Sequence, residues 1–175
     1  MTSNLKNSII LIGMPGSGKS TVGKVLADYL DLKFIDTDVI LELKRGTTLQ
    51  SIIDTHGYER FRQVEEIELV MEKFNNNVVA TGGSVVYSQP LMQSFKNQGI
   101  VIHLDIPLED MEKRIANDNP NRGIASPAHQ SLRDIYNERT GLYKHYADLT
   151  VSNHARTPAE TATLIAQKLN TWKFC

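Results

Sequence analysis

The chain has 175 residues, a hydrophobic fraction of 41%, a charged fraction of 22% and a formal net charge of −1, which is typical of one globular domain with a buried core. This charge excludes the overall basic field that recruits nucleic acid or an anionic membrane, and the apolar runs are too short for a membrane-spanning helix. This length predicts a single domain over residues 1–175, and we expect a monomer. One cysteine, Cys175, and no signal-like start favour the reducing cytoplasm.

Apolar, β-branched runs alternate with segments of helical periodicity along the chain. The runs predict strands at residues 9–12, 34–35, 78–80, 100–104 and 149–151, and the periodicity predicts helices at residues 21–30, 60–74, 132–146 and 158–169. In the second of these helices, five apolar side chains share one face: Phe61, Val64, Ile67, Met71 and Phe74. Such alternation predicts an α/β fold whose parallel sheet is covered on both faces and binds ligands at the carboxyl ends of its strands.

The first predicted strand runs directly into a glycine-rich loop, IILIGMPGSGKST over residues 9–21. Its spacing matches the pattern G-x-x-x-x-G-K-[ST], with the strand before it and the helix after it that this pattern requires. Such a loop directs backbone N–H groups at phosphate oxygens, its lysine reaches the β- and γ-phosphates, and its hydroxyl holds Mg²⁺. A turn that only joins strand to helix is the alternative, but the full pattern favours ATP or GTP binding. The predicted nucleotide-binding residues here are Gly13, Gly16, Ser17, Gly18, Lys19, Ser20 and Thr21.

Two carboxylates, Asp36 and Asp38, follow the second predicted strand. Residues two apart on a strand point to the same side, so both could face the nucleotide. One carboxylate could then position hydrated Mg²⁺ while the other orients an attacking hydroxyl or accepts its proton. Alternatively, Asp38 caps the N-terminus of the following helix.

Three arginines are candidates for binding anions: Arg62 and Arg139 on predicted helices, and Arg122 in residues 117–130. Planar guanidinium groups suit bidentate capture of carboxylate or phosphate. The alternatives are an ion pair of Arg62 with Glu65 or Glu66 and a solvated position for Arg139. Residues 117–130 have no periodicity, and a loop of this length is usually a functional lid or disordered.

Gly82 and Gly83 follow the third predicted strand, at the edge where ligands bind. Glycines there permit either close approach of the backbone to a ligand or a tight turn. The five histidines form no metal-ligand spacing, and His103, within a predicted strand, is expected to be a core residue. Zinc chemistry and acyl transfer are therefore not indicated.

Taken together, these segments resemble the shikimate kinases over almost the whole chain, from about Ile9 to Leu169. The motifs that carry the resemblance are the glycine-rich loop, the DTD at residues 36–38, FRQVEE from Phe61, the GG at residues 82–83, the lid arginine Arg122, and ERTGLYKHYAD from Glu138. The resemblance implies a three-layer P-loop kinase fold with a five-stranded parallel sheet between helices and a mobile lid at about residues 117–130.

The implied reaction is transfer of the γ-phosphoryl group of ATP, with Mg²⁺, to the 3-hydroxyl of shikimate. The resemblance assigns Asp38, Lys19 and Arg122 to catalysis, and Ser20 and Asp36 to Mg²⁺. It assigns acceptor binding to Asp38, Arg62, Gly82, Gly83 and Arg139, and adds Arg114, Arg122 and Arg156 to the nucleotide site.

The sequence departs from the family at three points on the acceptor side. Tyr58 stands where the family commonly has an acid, Ser84 replaces the third glycine of a triple glycine, and Gly123 follows the lid arginine in place of proline. Tyr58 and Ser84 could therefore recognise groups of a different acceptor. The alternatives are a related kinase for another hydroxylated carboxylate or amino acid, such as homoserine or gluconate, and a nucleotide-binding module without transfer activity.

Overall fold

The computed structural model describes residues 8–118 and 130–172 and contains a five-stranded, entirely parallel sheet. The strands lie in the order β2-β3-β1-β4-β5. Every predicted strand is present, and each is extended by one or two residues. Their bounds are β1 Ser8–Ile12, β2 Lys33–Asp36, β3 Asn77–Ala80, β4 Gly99–Asp105 and β5 Leu149–Ser152.

Seven α-helices connect and cover these strands in the part of the chain that the structure describes. They are α1 Lys19–Leu30, α2 Thr37–Arg45, α3 Leu49–Leu69, α4 Gln89–Gln98, α5 Leu108–Asp118, α6 Leu132–Tyr146 and α7 Pro158–Trp172. The helices predicted from periodicity did not include α2, α4 and α5, and a helix after Asp38 entered only as part of the capping alternative. A short 3₁₀ helix, Val85–Tyr87, lies between β3 and α4.

Two separate hydrophobic cores lie on the two faces of the sheet. Along β1 the side chains alternate, so Ile10 and Ile12 enter one core while Ile9 and Leu11 enter the other. Helices α1 and α7 cover the second core, and α4 and α6 contribute to the first. This arrangement confirms the predicted α/β fold with a parallel sheet between helices. Most of the predicted lid, residues 119–129, lies outside the described residues.

The predicted bounds of the helix over residues 60–74 are wrong at both ends. Helix α3 begins at Leu49, bends at Gly57 (φ 81°, ψ 169°) and ends at Leu69. Its predicted apolar face is only partly buried, since the side chains of Ile67 and Met71 are 59% and 75% exposed. Apolar spacing alone did not reveal that the helix ends before Met71.

None of the helices in the described ranges is both long and apolar enough to span a membrane.

Candidate active site

The glycine-rich loop joins β1 to α1 at the carboxyl edge of the sheet, where the sequence predicted a phosphate site. Gly18 is the N-cap of α1 and has a left-handed backbone (φ 91°), a conformation that favours glycine. The Lys19 side chain is 8% exposed, and its Nζ donates to the carbonyl oxygens of Gly13 (2.8 Å) and Met14 (2.9 Å). The lysine is therefore held within the loop, at the N-terminus of α1.

A cleft of about 760 Å³ runs from this loop along the carboxyl edge of the sheet. It joins the predicted nucleotide and acceptor sites, since residues of both line its wall. Gly13 and Ser17 belong to the same loop but do not line the cleft. The predicted residues that line it are Gly16, Gly18, Lys19, Ser20, Thr21, Asp36, Asp38, Gly82, Gly83, Arg114, Arg139 and Arg156.

Two oxygen-bearing side chains that could hold a cation meet at the mouth of this loop. The hydroxyl of Ser20 donates to Asp36 Oδ2 at 2.7 Å. A hydroxyl beside a carboxylate is an oxygen donor pair that suits Mg²⁺, which usually takes one or two protein ligands and completes its shell with water and substrate phosphates. Within the described ranges no cluster of three or more acidic, histidine or cysteine side chains forms a metal site, so a cation here would need those additional ligands.

The capping alternative for Asp38 is wrong. Strand β2 ends at Asp36, which is the N-cap of α2 and whose side chain accepts a hydrogen bond from the backbone N–H of Asp38 at 3.1 Å. Asp38 lies in the first turn of α2, not on the strand, yet both carboxylates line the cleft.

Arg114 bridges two loops on the nucleotide side of the cleft. It lies on α5, and its guanidinium donates to the carbonyl oxygens of Gly16 (3.2 Å) and Asn153 (3.1 Å). Arg156, in the loop after β5, is exposed and donates to the Ser152 carbonyl oxygen at 2.9 Å. The structure thus places both predicted arginines on the nucleotide side.

Arg139 lies on α6 at the other end of the cleft, and the alternative of a solvated position is wrong. Its side chain is 1% exposed, and the guanidinium donates to the hydroxyl groups of Tyr58 (3.2 Å) and Tyr87 (3.4 Å). A buried, permanently charged guanidinium group beside a cleft is suited to binding an anion.

Arg62 lies beside the cleft but does not line it. Its guanidinium carbon is 4.1 Å from the centre of the Tyr87 ring, and it donates to the Tyr87 carbonyl oxygen at 3.3 Å. It forms no ion pair with Glu65 or Glu66, so that alternative is wrong. Arg139 also lies over the Tyr87 ring, at 5.3 Å, so one tyrosine holds both arginines at the acceptor end.

Gly82 has a close-packed environment that leaves no room for a side chain. A Cβ atom there would lie 2.6 Å from Glu65 Oε1 and 3.0 Å from Asp38 Oδ1. The glycine therefore lets two carboxyl groups approach the same stretch of backbone. The carbonyl oxygen of Gly83 accepts a hydrogen bond from Tyr143 at 2.6 Å, which anchors this turn to α6.

Glu65 is a site residue that the sequence suggested only as a partner for Arg62. It is 2% exposed, and its Oε2 accepts a 2.7 Å hydrogen bond from the hydroxyl of Ser84, itself buried. Burial raises the pKa of Glu65 to about 8; the Ser84 hydrogen bond and the charges of Arg139 and Arg62 oppose this rise, and Asp38 adds to it. The FRQVEE motif contains this residue, but only the fold shows that it lies beside Asp38.

Two of the residues that depart from the family pattern therefore have hydrogen-bond partners inside the protein. Ser84 binds Glu65, and Tyr58 accepts a hydrogen bond from Arg139. Arg122 and Gly123 lie outside the described residues. His103 is a core residue, as expected: it is 2% exposed and stacks on Tyr143 with ring centres 5.1 Å apart.

Comparison with known proteins agrees with this geometry. The family model for shikimate kinase matches residues 15–170. A shikimate kinase from Clostridium botulinum (strain Eklund 17B / Type B) is 38% identical over 151 residues, covering 85% of this chain and 89% of the relative. One from Thermobifida fusca (strain YX) is 35% identical over 162 residues, covering 91% and 93%.

Solved structures agree as well. The shikimate kinase from Acinetobacter baumannii in complex with shikimate has a TM-score of 0.86 and 32% identity, covering 97% of this chain and 96% of that one. The shikimate kinase from Aquifex aeolicus has a TM-score of 0.77 and 28% identity, covering 93% and 96%. The resemblance inferred from the motifs is confirmed: this chain belongs to the shikimate kinase family.

Proposed function

We propose that this chain transfers the γ-phosphoryl group of ATP to the 3-hydroxyl of shikimate, which yields shikimate 3-phosphate and ADP. The observation that carries the proposal is the single cleft that joins the phosphate-binding loop to an end where Arg139 is buried. Membership of the shikimate kinase family supports the same reaction.

On the nucleotide side, the loop before α1 would bind the phosphates through its backbone N–H groups and Lys19, which neutralise the negative charge that the transition state spreads over the γ-phosphoryl oxygens. Ser20 and Asp36 would hold Mg²⁺, because their oxygens already lie together at 2.7 Å. When bound, Mg²⁺ neutralises phosphate charge. Arg114 and Arg156 would contact the rest of the nucleotide.

On the acceptor side, Arg139 would bind the carboxylate of shikimate, with Arg62 beside it, since both guanidinium groups contact the Tyr87 ring. Two guanidinium groups at this end select an acceptor that carries a carboxylate. Gly82 and Gly83 would allow the ring of the acceptor to lie close to the backbone, since both line the cleft.

Asp38 would orient the acceptor hydroxyl toward the γ-phosphorus. The hydroxyl oxygen forms a bond to phosphorus as the bond to the bridging oxygen breaks, ADP leaves, and the hydroxyl proton passes to the Asp38 carboxylate. The role expected of Arg122, stabilising the transferred group, stays a prediction because that residue lies outside the described ranges.

Ser84 and Tyr58, the substitutions that suggested a different acceptor, have hydrogen-bond partners inside the protein. A hydroxyl that already donates to Glu65 and a phenol that already accepts from Arg139 are committed to the protein. Both substituted side chains therefore have a structural role, which accounts for them without a different acceptor such as homoserine or gluconate.

The proposal is tested by measuring ADP release with MgATP and shikimate, homoserine, gluconate or no acceptor. We expect turnover of roughly 1–100 s⁻¹ with shikimate and only background release with the others. Asp38→Asn and Lys19→Ala should abolish transfer while their melting temperatures stay above the assay temperature. Faster turnover with homoserine or gluconate would contradict the assigned acceptor, and size-exclusion chromatography would test the expected monomer.

A further inference from the structure

Asn153 connects three elements around the nucleotide side of the cleft. It follows β5, is 4% exposed, and its backbone N–H donates to the Asp105 carbonyl oxygen at 2.8 Å. Its side-chain Nδ2 donates to the Ser17 carbonyl oxygen at 2.8 Å, and its Oδ1 accepts from the Thr161 hydroxyl at 2.6 Å. The side-chain amide thus links the phosphate-binding loop to α7.

The hydrogen bond to Ser17 acts on the part of the loop that would contact phosphate. Because a peptide unit is planar and trans, the carbonyl of Ser17 and the N–H of Gly18 point in opposite directions. Holding that carbonyl toward Asn153 therefore directs the Gly18 N–H away from Asn153. A Cβ atom at Gly18 would lie 2.6 Å from Asn153 Nδ2, so the amide also packs directly against this glycine.

The backbone of Asn153 helps to orient Arg114, which lies on the nucleotide side of the cleft. Its carbonyl oxygen accepts from Arg114, whose other contact is the Gly16 carbonyl oxygen in the phosphate-binding loop. The side chain anchors the loop after β5, and that loop supplies one of the two acceptors that orient Arg114. Asn153 also lines the cleft.

We propose that Asn153 is a positioning residue for the nucleotide: its side-chain amide holds the Ser17–Gly18 peptide and the Arg114 guanidinium in the arrangement that binds MgATP. This inference rests on the proposed function, which makes this end of the cleft the ATP site. Among the described residues, the hydrogen-bond partners of Asn153 are Asp105, Ser17, Thr161 and Arg114, none of which is predicted to bind the acceptor, so its effect should be confined to the nucleotide.

The test uses Asn153→Ala, with Thr161→Val as the matched control. Thr161→Val removes the bond to Asn153 Oδ1 from a buried position in α7 and leaves the bond to Ser17 in place. Both variants lose the bond between Asn153 and α7, and Asn153→Ala also loses the bond to Ser17, so the comparison isolates the bond to the phosphate-binding loop. Asn153→Ser is a milder second variant whose shorter side chain cannot span to Ser17.

Melting temperature, the Kd of MgATP and the KM values of both substrates are measured for each protein. We expect Asn153→Ala and Asn153→Ser to raise the Kd and KM of MgATP about tenfold, as the loss of a buried hydrogen bond predicts, with the KM of shikimate unchanged. Thr161→Val should change the Kd of MgATP by less than about threefold, although it also loses a buried hydrogen bond and some melting temperature.

Equal effects of Thr161→Val and Asn153→Ala on the Kd of MgATP would overturn the inference, because the amide would then act only through stability. An unchanged Kd in Asn153→Ser, or an equal rise in the KM of shikimate, would overturn it as well. Failure of the proposed function is distinguishable, since it would appear as wild-type protein that binds MgATP but does not phosphorylate shikimate.

Discussion

Glu65→Gln tests the electrostatics of the acceptor end directly. Glutamine keeps the shape of the side chain and an oxygen that can accept the hydrogen bond from Ser84, but it cannot ionise. The substitution therefore removes the titration of a buried group without creating a cavity. Any constant effect of the new amide is independent of pH, so the informative quantity is how the difference between variant and wild type changes with pH.

The direction of the change in unfolding free energy with pH follows from the pH range in which Glu65 is protonated in the folded state. Its pKa is raised from an ordinary value of 4.5 to about 8 by burial, so between these values the folded state binds the proton and the unfolded state releases it. The unfolding free energy of the wild type should therefore fall as pH rises through this window. Glu65 contributes its full stability below pH 4.5 and loses it progressively up to about pH 8.

His103 changes the unfolding free energy in the opposite direction, and it does so over a lower pH range. Burial lowers its pKa from 6.5 to about 4, so the unfolded state binds a proton that the folded state rejects. Its contribution to stability rises with pH between these values and is complete above 6.5. The two effects oppose each other below pH 6.5, and the contribution of Glu65 remains above it.

These pKa values set the size of the expected change in unfolding free energy. From pH 6.5 to pH 8, Glu65 should cost the wild type about 1.5 kcal/mol of unfolding free energy, at about 1.4 kcal/mol per tenfold change in proton affinity. The wild type should therefore lose this amount while Glu65→Gln stays level. For a chain of this size the difference corresponds to roughly 3–6 °C in melting temperature.

Urea denaturation of both proteins at pH 5, 6.5 and 8, without nucleotide or shikimate, provides the measurement. His103→Gln is the matched control, because it should remove the rising contribution of His103, so that stability falls with pH already below 6.5, and leave the fall above pH 6.5 intact. Parallel curves for wild type and Glu65→Gln above pH 6.5 would refute the reasoning, since Glu65 would then be ionised in the folded state.

Three further outcomes follow from the site. Gly82→Ala places a methyl group 2.6 Å from Glu65 Oε1, so kcat/KM for shikimate should fall about 100-fold with an unchanged Kd for MgATP; a normal kcat/KM would show that the turn can adjust. Arg139→Lys loses the planar contacts to Tyr58 and Tyr87 and should raise the KM of shikimate about tenfold, whereas an unaltered KM argues against carboxylate binding there. Asp36→Asn should raise the Mg²⁺ concentration for half-maximal activity about tenfold, and titration curves that coincide with the wild type would remove Asp36 from the metal site.

The sequence by itself determined the sheet and the nucleotide loop, because both depend on local patterns. Strand β1 needs a short apolar run, and the loop after it needs glycines, a lysine and a hydroxyl at fixed spacing. Since all strands of a parallel sheet present their carboxyl ends at one edge, placing Asp36 and Gly82 near Lys19 also followed from the order of the elements.

The tertiary structure decided which polar groups are buried together. Periodicity placed Ile67 and Met71 on one buried face, yet both are exposed: Ile67 lies in the last turn of α3, and Met71 lies beyond its end at Leu69. The helical periodicity gave no reason to bury Arg139 against Tyr58 and Tyr87. Such contacts join residues far apart in the chain, and their burial depends on how α3 and α6 meet.

Glu65 and Asn153 depend on tertiary structure in the same way. Glu65 lies 19 residues from Ser84 along the chain, and Asn153 lies 136 residues from Ser17. No local pattern encodes either hydrogen bond. The sequence thus specified the chemistry that each segment could contribute, and the fold selected the pairs that lie within hydrogen-bonding distance, because buried polar groups are stable only where packing brings them a partner.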